Sequence, residues 1–401
     1  ELVATQFEDF LADLQLITNI DSGTGHAAGS AAIAAFLKQR LEEINGTVEF
    51  RTNEKGTHVI ARFKGRGSLK ILFMAHTDTV FASGESKKRP FRVDENLHAY
   101  GPGVGDDKAT VIQTLYVMKA LKDIGFNEYG EITLYYNAEE EIGSVLAESI
   151  VDELARQADV VIVMDTARPG WGIVTQRKGS ASYEIQIQGI AGHAGNAAQA
   201  AASAIMELGN QISQLYQMAS PLPGNPLVFS YESLLARGVM DYGQFIPTNT
   251  INVGVIGTSN KKTNVVPADA YAQVEVRCFS TSELERIDRE IRNLAAKTVV
   301  PGTIVKISGG IEEHPMEKTP KAQEVIDAYK AIVKQEYGAT VVEWLAGGMT
   351  DGNRSSRYAP TIDALGIETY DEHTEHEYAD LNTVVPRTVA LIQLIRFLAA
   401  D

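Results

Sequence analysis

The chain carries a single cysteine, Cys278, so it has neither an internal disulfide framework nor a thiolate metal site. Long apolar runs are also missing, and none approaches the roughly 20 residues that span a bilayer as a helix. Positive charge is scarce: 36 lysines and arginines stand against 52 aspartates and glutamates, for a formal net charge of -16. Nucleic acid or an anionic membrane surface would repel such a chain, which argues against both as partners, and the lack of a long apolar run argues against membrane insertion. No internal repeat or low-complexity tract is present. There is no G-x-S-x-G elbow, and Cys278 falls within a strand-like run, so serine and cysteine hydrolysis lack a nucleophile in the required setting.

What is present is a globular composition, 401 residues with 44% hydrophobic and 22% charged, long enough for a large core and more than one domain. The sequence opens at Glu1 rather than methionine, which leaves the compartment open between the cytoplasm and, with a leader removed, the periplasm or exterior. The stretch Glu131 to Glu141, EITLYYNAEEE, organises the rest. It begins as a buried strand and ends in three adjacent carboxylates, Glu139, Glu140 and Glu141. Charge runs usually lie on solvated helices, whereas the carboxyl end of a strand is where α/β sheets build their sites. Bound cations would relieve the repulsion.

Other apolar runs end the same way. Lys70 to Ala75 (KILFMA) leads into His76, Thr77 and Asp78, with Asp78 placed to orient the His76 ring. Asp159 to Met164 (DVVIVM) leads into Asp165. Between them, AYGPGVGDDK precedes an amphipathic helix from about Thr110 to Ile124. Its glycines do not have the spacing of a phosphate loop, and Asp106 and Asp107 would repel a phosphate. Asp106 reads as a ligand, and Asp107 equally well as a helix cap. His76, Asp106, Glu141 and Asp165 thus come to one sheet edge, and this oxygen-rich set with histidine fits zinc or a similar first-row ion. Two divalent cations bring four positive charges; Asp106, Glu141 and Asp165 return three and a bound hydroxide the fourth.

The pattern predicts opening helices at about 2–17 and 27–44, and strands at 48–51 and 58–63. A helical segment is expected over 144–157, after the glutamates. From Ser182 to Gln188 the alternation SYEIQIQ suits an antiparallel sheet with one solvated face. An Ala-rich helix is expected from Ala197 to Met218, then a loop from Pro221 to Thr248, strands at 250–256, 270–278 and 303–307, and a helix at 283–296. The fold class is therefore α/β, a mixed, largely parallel sheet flanked by helices, with an inserted α+β sandwich. The expected boundaries are 1–177 and 312–401 for the catalytic domain and 178–311 for the insertion. The last part carries helices at about 322–337 and 384–398. Between them lie the loop Gly347 to Asp351 and the stretch DEHTEHEY, in which either His373 or His376 could complete a second metal, with a solvated acidic turn as the bland alternative.

AHTD at 75–78, GPGVGDDK at 101–108, NAEEEIGS at 137–144, GHAG at 192–195, GGMTDG at 347–352 and HTEHEY at 373–378 occur in the order found in the dizinc exopeptidase family. That family contains bacterial glutamate carboxypeptidase, the peptidase T tripeptidases, aminoacylase and the succinyl-diaminopimelate desuccinylases, and the chain resembles it over nearly its whole length. The resemblance implies two zinc ions per chain, with cobalt or manganese as substitutes. His76 and Asp165 would hold one, Glu141 and His373 the other, and Asp106 would bridge them. It further implies Glu140 as general base, Asp78 as the carboxylate behind His76, and His193 as the lid histidine that stabilises the oxyanion. Arg277, Asn264 and Gly348 match substrate-binding positions, and the bland alternative for Arg277 is a salt bridge on the lid sheet. The inserted domain would serve as lid and as the surface of a homodimer.

The implied reaction is hydrolysis of a peptide or N-acyl amide bond next to a terminal amino acid, most like a glutamate carboxypeptidase. Asp165 departs from the glutamate of that enzyme and matches the aspartate of tripeptidases and dipeptidases, which tilts toward an aminopeptidase or dipeptidase. The arginine near the end of the carboxypeptidase lid also has no match in ISGGIEEHP. A reading from another class is a peptide-binding protein that has kept the fold and lost the activity. Metal content and sensitivity to a chelator separate it from an enzyme.

Overall fold

The computed structural model describes residues 2–218 and 249–400, so the expected loop from Pro221 to Thr248 lies outside the described residues. The chain divides into two compact units. The first comprises Glu1–Thr175, Lys318–Trp344 and Thr350–Asp401, and the second Gln176–Glu317 with Leu345–Met349.

The first unit is built on a six-stranded sheet in the order Thr47–Thr52, Thr57–Lys64, Glu131–Asn137, Lys70–His76, Val160–Val163, Thr361–Ile362. The second strand pairs antiparallel with both the first and the third, and the last four run parallel to one another, so this sheet is mixed and largely parallel as the apolar runs predict. Strands buried on both faces supply side chains to two cores. Ile71, Phe73 and Ala75 join a core with the helices Phe7–Thr18, Ala27–Glu43, Thr110–Asp123, Pro320–Tyr337 and Val384–Leu398. Leu72 and Met74 face the opposite way and pack with Tyr135, Ile150, Val151 and Leu154. Each such side chain contributes about 1.5–3 kcal/mol by leaving water. Among the described residues, Leu381–Leu398 is long and apolar enough to cross a bilayer, but half of it is buried, with Leu391, Leu394 and Ile395 in the core.

The second unit has a four-stranded antiparallel sheet in the order Thr250–Gly257, Asp269–Cys278, Gly179–Gln188, Ile304–Glu313. Tyr183, Ile185, Ile187 and Val274 form a core with Leu208 and Leu215 of the helix Ala204–Met218 and with Leu284, Ile287 and Ile291 of Thr281–Leu294. The alternation expected from Ser182 to Gln188 for a sheet covered on one face is present there and in Asp269–Cys278.

Two helices start later than their sequences suggest. Ala198–Ala200 make only a 3-10 turn, and the long helix begins at Ala204. Ala202 instead exchanges both backbone hydrogen bonds with Ile190, each 2.9 Å, so pairing overrides alanine's helix propensity. The helix expected from Ser144 begins at Glu148, because Ser144 adopts a left-handed φ of 55° and its side chain bonds elsewhere.

Candidate metal centre

Parallel strands put their carboxyl ends at one edge, and that edge carries the acids. His76 ends the strand Lys70–His76, Glu139 to Glu141 follow Glu131–Asn137, and Asp165 follows Val160–Val163. Asp106 arrives on the glycine-rich turn before the helix Thr110–Asp123. A side chain at Gly105 would lie 2.2 Å from Thr369 Cγ2, so only glycine lets the turn come this close.

Asp106 is the centre of the cluster. Its Oδ1 is 2.9 Å from His76 Nε2 and its Oδ2 is 3.1 Å from His373 Nε2, which in turn lies 3.3 Å from Glu141 Oε2. Ligand atoms of His76, Asp106 and Glu141 all fall within 4.8 Å of one another. Glu141 Oε1 is buried without a hydrogen-bond partner. An orphaned carboxylate oxygen beside two imidazoles and a second carboxylate is a donor set suited to a first-row divalent cation, so the residues fit a metal. Asp165 lines the cavity beside His76, Glu140 and Asp351 without joining that close set, and its Oδ1 accepts the Thr166 N–H at 2.6 Å.

The charges explain how such a cluster stays folded. Burial opposes ionisation of Asp106, but hydrogen bonds to His373 and His76 outweigh it and bring its carboxyl below the usual range. His373, hydrogen-bonded to Asp106 and Glu141, is pushed up to about 11. Burial would discharge His76, yet Asp106 and Asp78 raise its pKa. Burial lifts the Glu140 carboxyl well above the normal range, and Asp351, Asp165 and Glu141 add to that.

A ring of neighbours fixes these side chains. The Asp78 carboxylate accepts the N–H groups of Glu140 and Glu141 at 3.1 and 3.3 Å and the Thr24 hydroxyl at 2.6 Å. His76 Nδ1 lies 3.1 Å from the Asp78 backbone carbonyl and 3.5 Å from its carboxylate Oδ1. Asp107 is no helix cap: its Oδ2 accepts the His76 N–H at 3.1 Å, and the helix that follows has no side-chain cap. His376 is highly exposed, 3.8 Å from Glu375, so geometry favours His373 of the two.

Two residues with a part here escape sequence reasoning. Glu377 Oε1 accepts the N–H groups of Gly105 and Asp106 at 2.9 and 3.1 Å, which aims Asp106. Glu372 accepts from the Thr166 hydroxyl at 2.8 Å and pairs with Arg168 at 3.1 Å, next to Asp165. The only signal was their place in DEHTEHEY, beside His373.

The remaining candidates belong to the second unit. His193 is exposed, and its Nδ1 accepts the N–H groups of Gly195 and Asn196 at 3.1 and 3.2 Å. The Asn264 carbonyl accepts the Ala194 N–H at 2.9 Å, which joins Asn264 to the GHAG turn. Arg277 makes a 2.6 Å salt bridge to Glu275 on its own strand, the bland arrangement weighed above. The Gly348 carbonyl accepts from Arg177 Nη1 at 3.4 Å.

A parallel-sheet edge with clustered acids and imidazoles, and a carboxyl of raised pKa beside them, defines a metal-dependent peptidase or amidohydrolase. The chain belongs to peptidase family M20/M25/M40, whose family model matches residues 72–396. It is 28% identical over 396 residues to carboxypeptidase G2 of Pseudomonas sp. (strain RS-16), covering 96% of this chain and 88% of that one. The solved structure of aminopeptidase PepT from Bacillus cereus matches with a TM-score of 0.78 at 18% identity, over 98% of this chain and 99% of that one. The YXEP protein of Bacillus subtilis, described as a dinuclear metal-binding peptidase, matches with a TM-score of 0.65 at 14% identity, over 98% and 99%. These structural likenesses bear on the fold.

Proposed function

We propose that the chain is a dizinc exopeptidase that cleaves a peptide or N-acyl amide bond next to a terminal amino acid. The observation that carries this is the Asp106 carboxylate, which offers one oxygen to His76 and the other to His373, with Glu141 alongside. His76 with Asp165, and His373 with Glu141, would hold one zinc each, and Asp106 would bridge. When bound, the pair supplies Lewis acidity to the scissile carbonyl and a water acidic enough to ionise near neutral pH. Glu140 takes a proton from the attacking water and later delivers it to the leaving amine. Asp78 holds the backbone of Glu140 and so fixes the direction of that transfer. His193 adds a donor toward the oxyanion, and Arg277, Asn264 and Gly348 contact the substrate. The second unit acts as lid and as the surface of a homodimer, which sedimentation of the intact protein tests.

The substrate is a small peptide or N-acyl amino acid. Likeness to carboxypeptidase G2 along 96% of the chain supports cleavage beside a free carboxylate. Asp165 in place of glutamate supports a second reading, an aminopeptidase or dipeptidase. A panel of dipeptides, tripeptides and N-acyl amino acids with free or blocked termini separates them. Loss of turnover on blocking the carboxylate selects the first, and loss on blocking the amine the second. Fewer than two metals per chain, with no hydrolysis of any member, would remove both.

A further inference from the structure

We propose that Asp351 is the positioning residue for the turn that carries Glu140 and Glu141, an inference that rests on the dimetal reading above. The chain leaves the sheet at Asn137, makes a single 3-10 turn at Glu140–Ile142, and passes through left-handed backbone at Gly143 (φ 85°) and Ser144 (φ 55°). So short and irregular an excursion has little regular hydrogen bonding to hold its two carboxylates still.

Asp351 supplies what the turn lacks. Its Oδ2 accepts from Asn137 Nδ2 at 2.6 Å and its Oδ1 accepts the Ser144 hydroxyl at 2.6 Å, while Asn137 Nδ2 also donates to Ser144 Oγ at 2.7 Å. Three side chains thereby close a ring across the base of the turn. The ring reaches the residue before Glu140, because Asn137 Oδ1 accepts the Glu139 N–H at 3.1 Å and Ser144 N–H donates to the Glu139 carbonyl at 3.0 Å. Every polar atom of the Asn137 amide and of the Asp351 carboxylate has a partner within this ring or the backbone next to it. Capping of the short helix Asp351–Ser355 falls to Thr350, so Asp351 is not needed there.

A second tie makes the brace rigid. Arg354 forks onto Asp152 at 2.6 and 3.0 Å and pairs with Glu148 at 3.0 Å, which fastens the same short helix to the helix that follows the turn. Asp351 therefore reaches the turn from a platform anchored on its far side, and it acts through Asn137 and Ser144 rather than on substrate.

Cobalt titration of the metal-free protein, followed through the visible d–d bands, tests this without any substrate. Asp351→Ala is expected to weaken one of the two cobalt constants, that of the site Glu141 joins, by about tenfold or more, the usual scale for partners that orient ligands, and to leave the other nearly unchanged. Asp351→Asn should restore it, since the amide oxygen can accept from Asn137 and the Ser144 hydroxyl can turn to accept from the amide. A purely structural role would lower the melting temperature and move both constants alike, which would overturn the proposal. So would wild-type cobalt binding in Asp351→Ala, or an Asp351→Asn no better than alanine. If Asp351→Ala does not fold, Ser144→Ala removes one arm of the ring and should weaken the same constant by less; an unchanged constant there counts against the brace. A wild-type protein that takes up no cobalt overturns the dimetal reading, and this inference with it.

Discussion

His373 Nε2 lies 3.1 Å from Asp106 Oδ2, although most of the chain separates the two residues in sequence. His76 takes the other oxygen of the same carboxylate, so Asp106 is flanked by imidazole on both sides. That geometry puts His373 against the cluster, whereas His376, three positions later, is exposed beside Glu375.

His373→Ala should therefore lower metal content by one ion per chain. Its kcat/KM should fall by more than about 100-fold, since even residues that only orient metal ligands cost 10–100-fold. His376→Ala, an exposed surface change, should leave both within about twofold. Metal analysis alongside initial rates decides, and equal losses in the two variants would refute the assignment.

Glu140→Gln should keep both metals and lower kcat by about 10²–10⁴-fold, the usual contribution of a general base. Its Asp78-bound backbone is untouched by the change, so the turn should hold its shape. Hydrolysis at the wild-type rate would take Glu140 out of the proton transfer.

Glu377 tests the support of Asp106. Alanine there strips the acceptor from two N–H groups and should cost about 1–3 kcal/mol in urea unfolding, together with weaker metal binding. Burial pushes the Glu377 pKa up to about 8, so its neutral form dominates where no metal is bound. Glutamine resembles that form, and Glu377→Gln should keep most of the stability.

His58 gives the pH dependence of the fold. It is fully buried, with Nδ1 3.1 Å from the Tyr135 hydroxyl and 3.2 Å from the Ala138 N–H, and burial lowers its pKa to about 4. The unfolded chain, with a histidine pKa near 6.5, binds the proton more readily. Stability from this group is complete above about pH 6.5 and is lost as pH falls toward 4. The loss amounts to a few kcal/mol at about 1.4 kcal/mol per unit of pKa. Urea midpoints of the metal-free protein at pH 7 and 4.5 should show this drop, and His58→Gln should flatten it.

Much of the site is legible because chemistry and chain pattern agree. Buried parallel strands such as Lys70–His76 read as continuous apolar runs, and a histidine or carboxylate directly after such a run has few places to go except the sheet edge. Asp351 is not legible in that way. It follows a glycine pair at a helix start, where an aspartate normally caps its own helix, and nothing local shows it turned toward Asn137 and Ser144. The helix starts later than Ala197 for a related reason, since Ala202 is claimed by Ile190, a partner outside any local window.

The sequence by itself determined which strands are buried on both faces, that acids and histidine gather where they end, and that so much negative charge calls for bound cations. The resemblance already preferred Asp106 and His373 to their neighbours, but only the tertiary structure gives the physical reason: Asp106 lies between the two imidazoles with Asp107 bonded to the His76 N–H, and His373 lies against the cluster with His376 exposed beside Glu375. Residue type is equal within each pair. The choice rests on backbone direction, with His373 held at a φ of 63° and Asp107 turned back to the His76 N–H, and that direction is set by packing against segments far away in the chain.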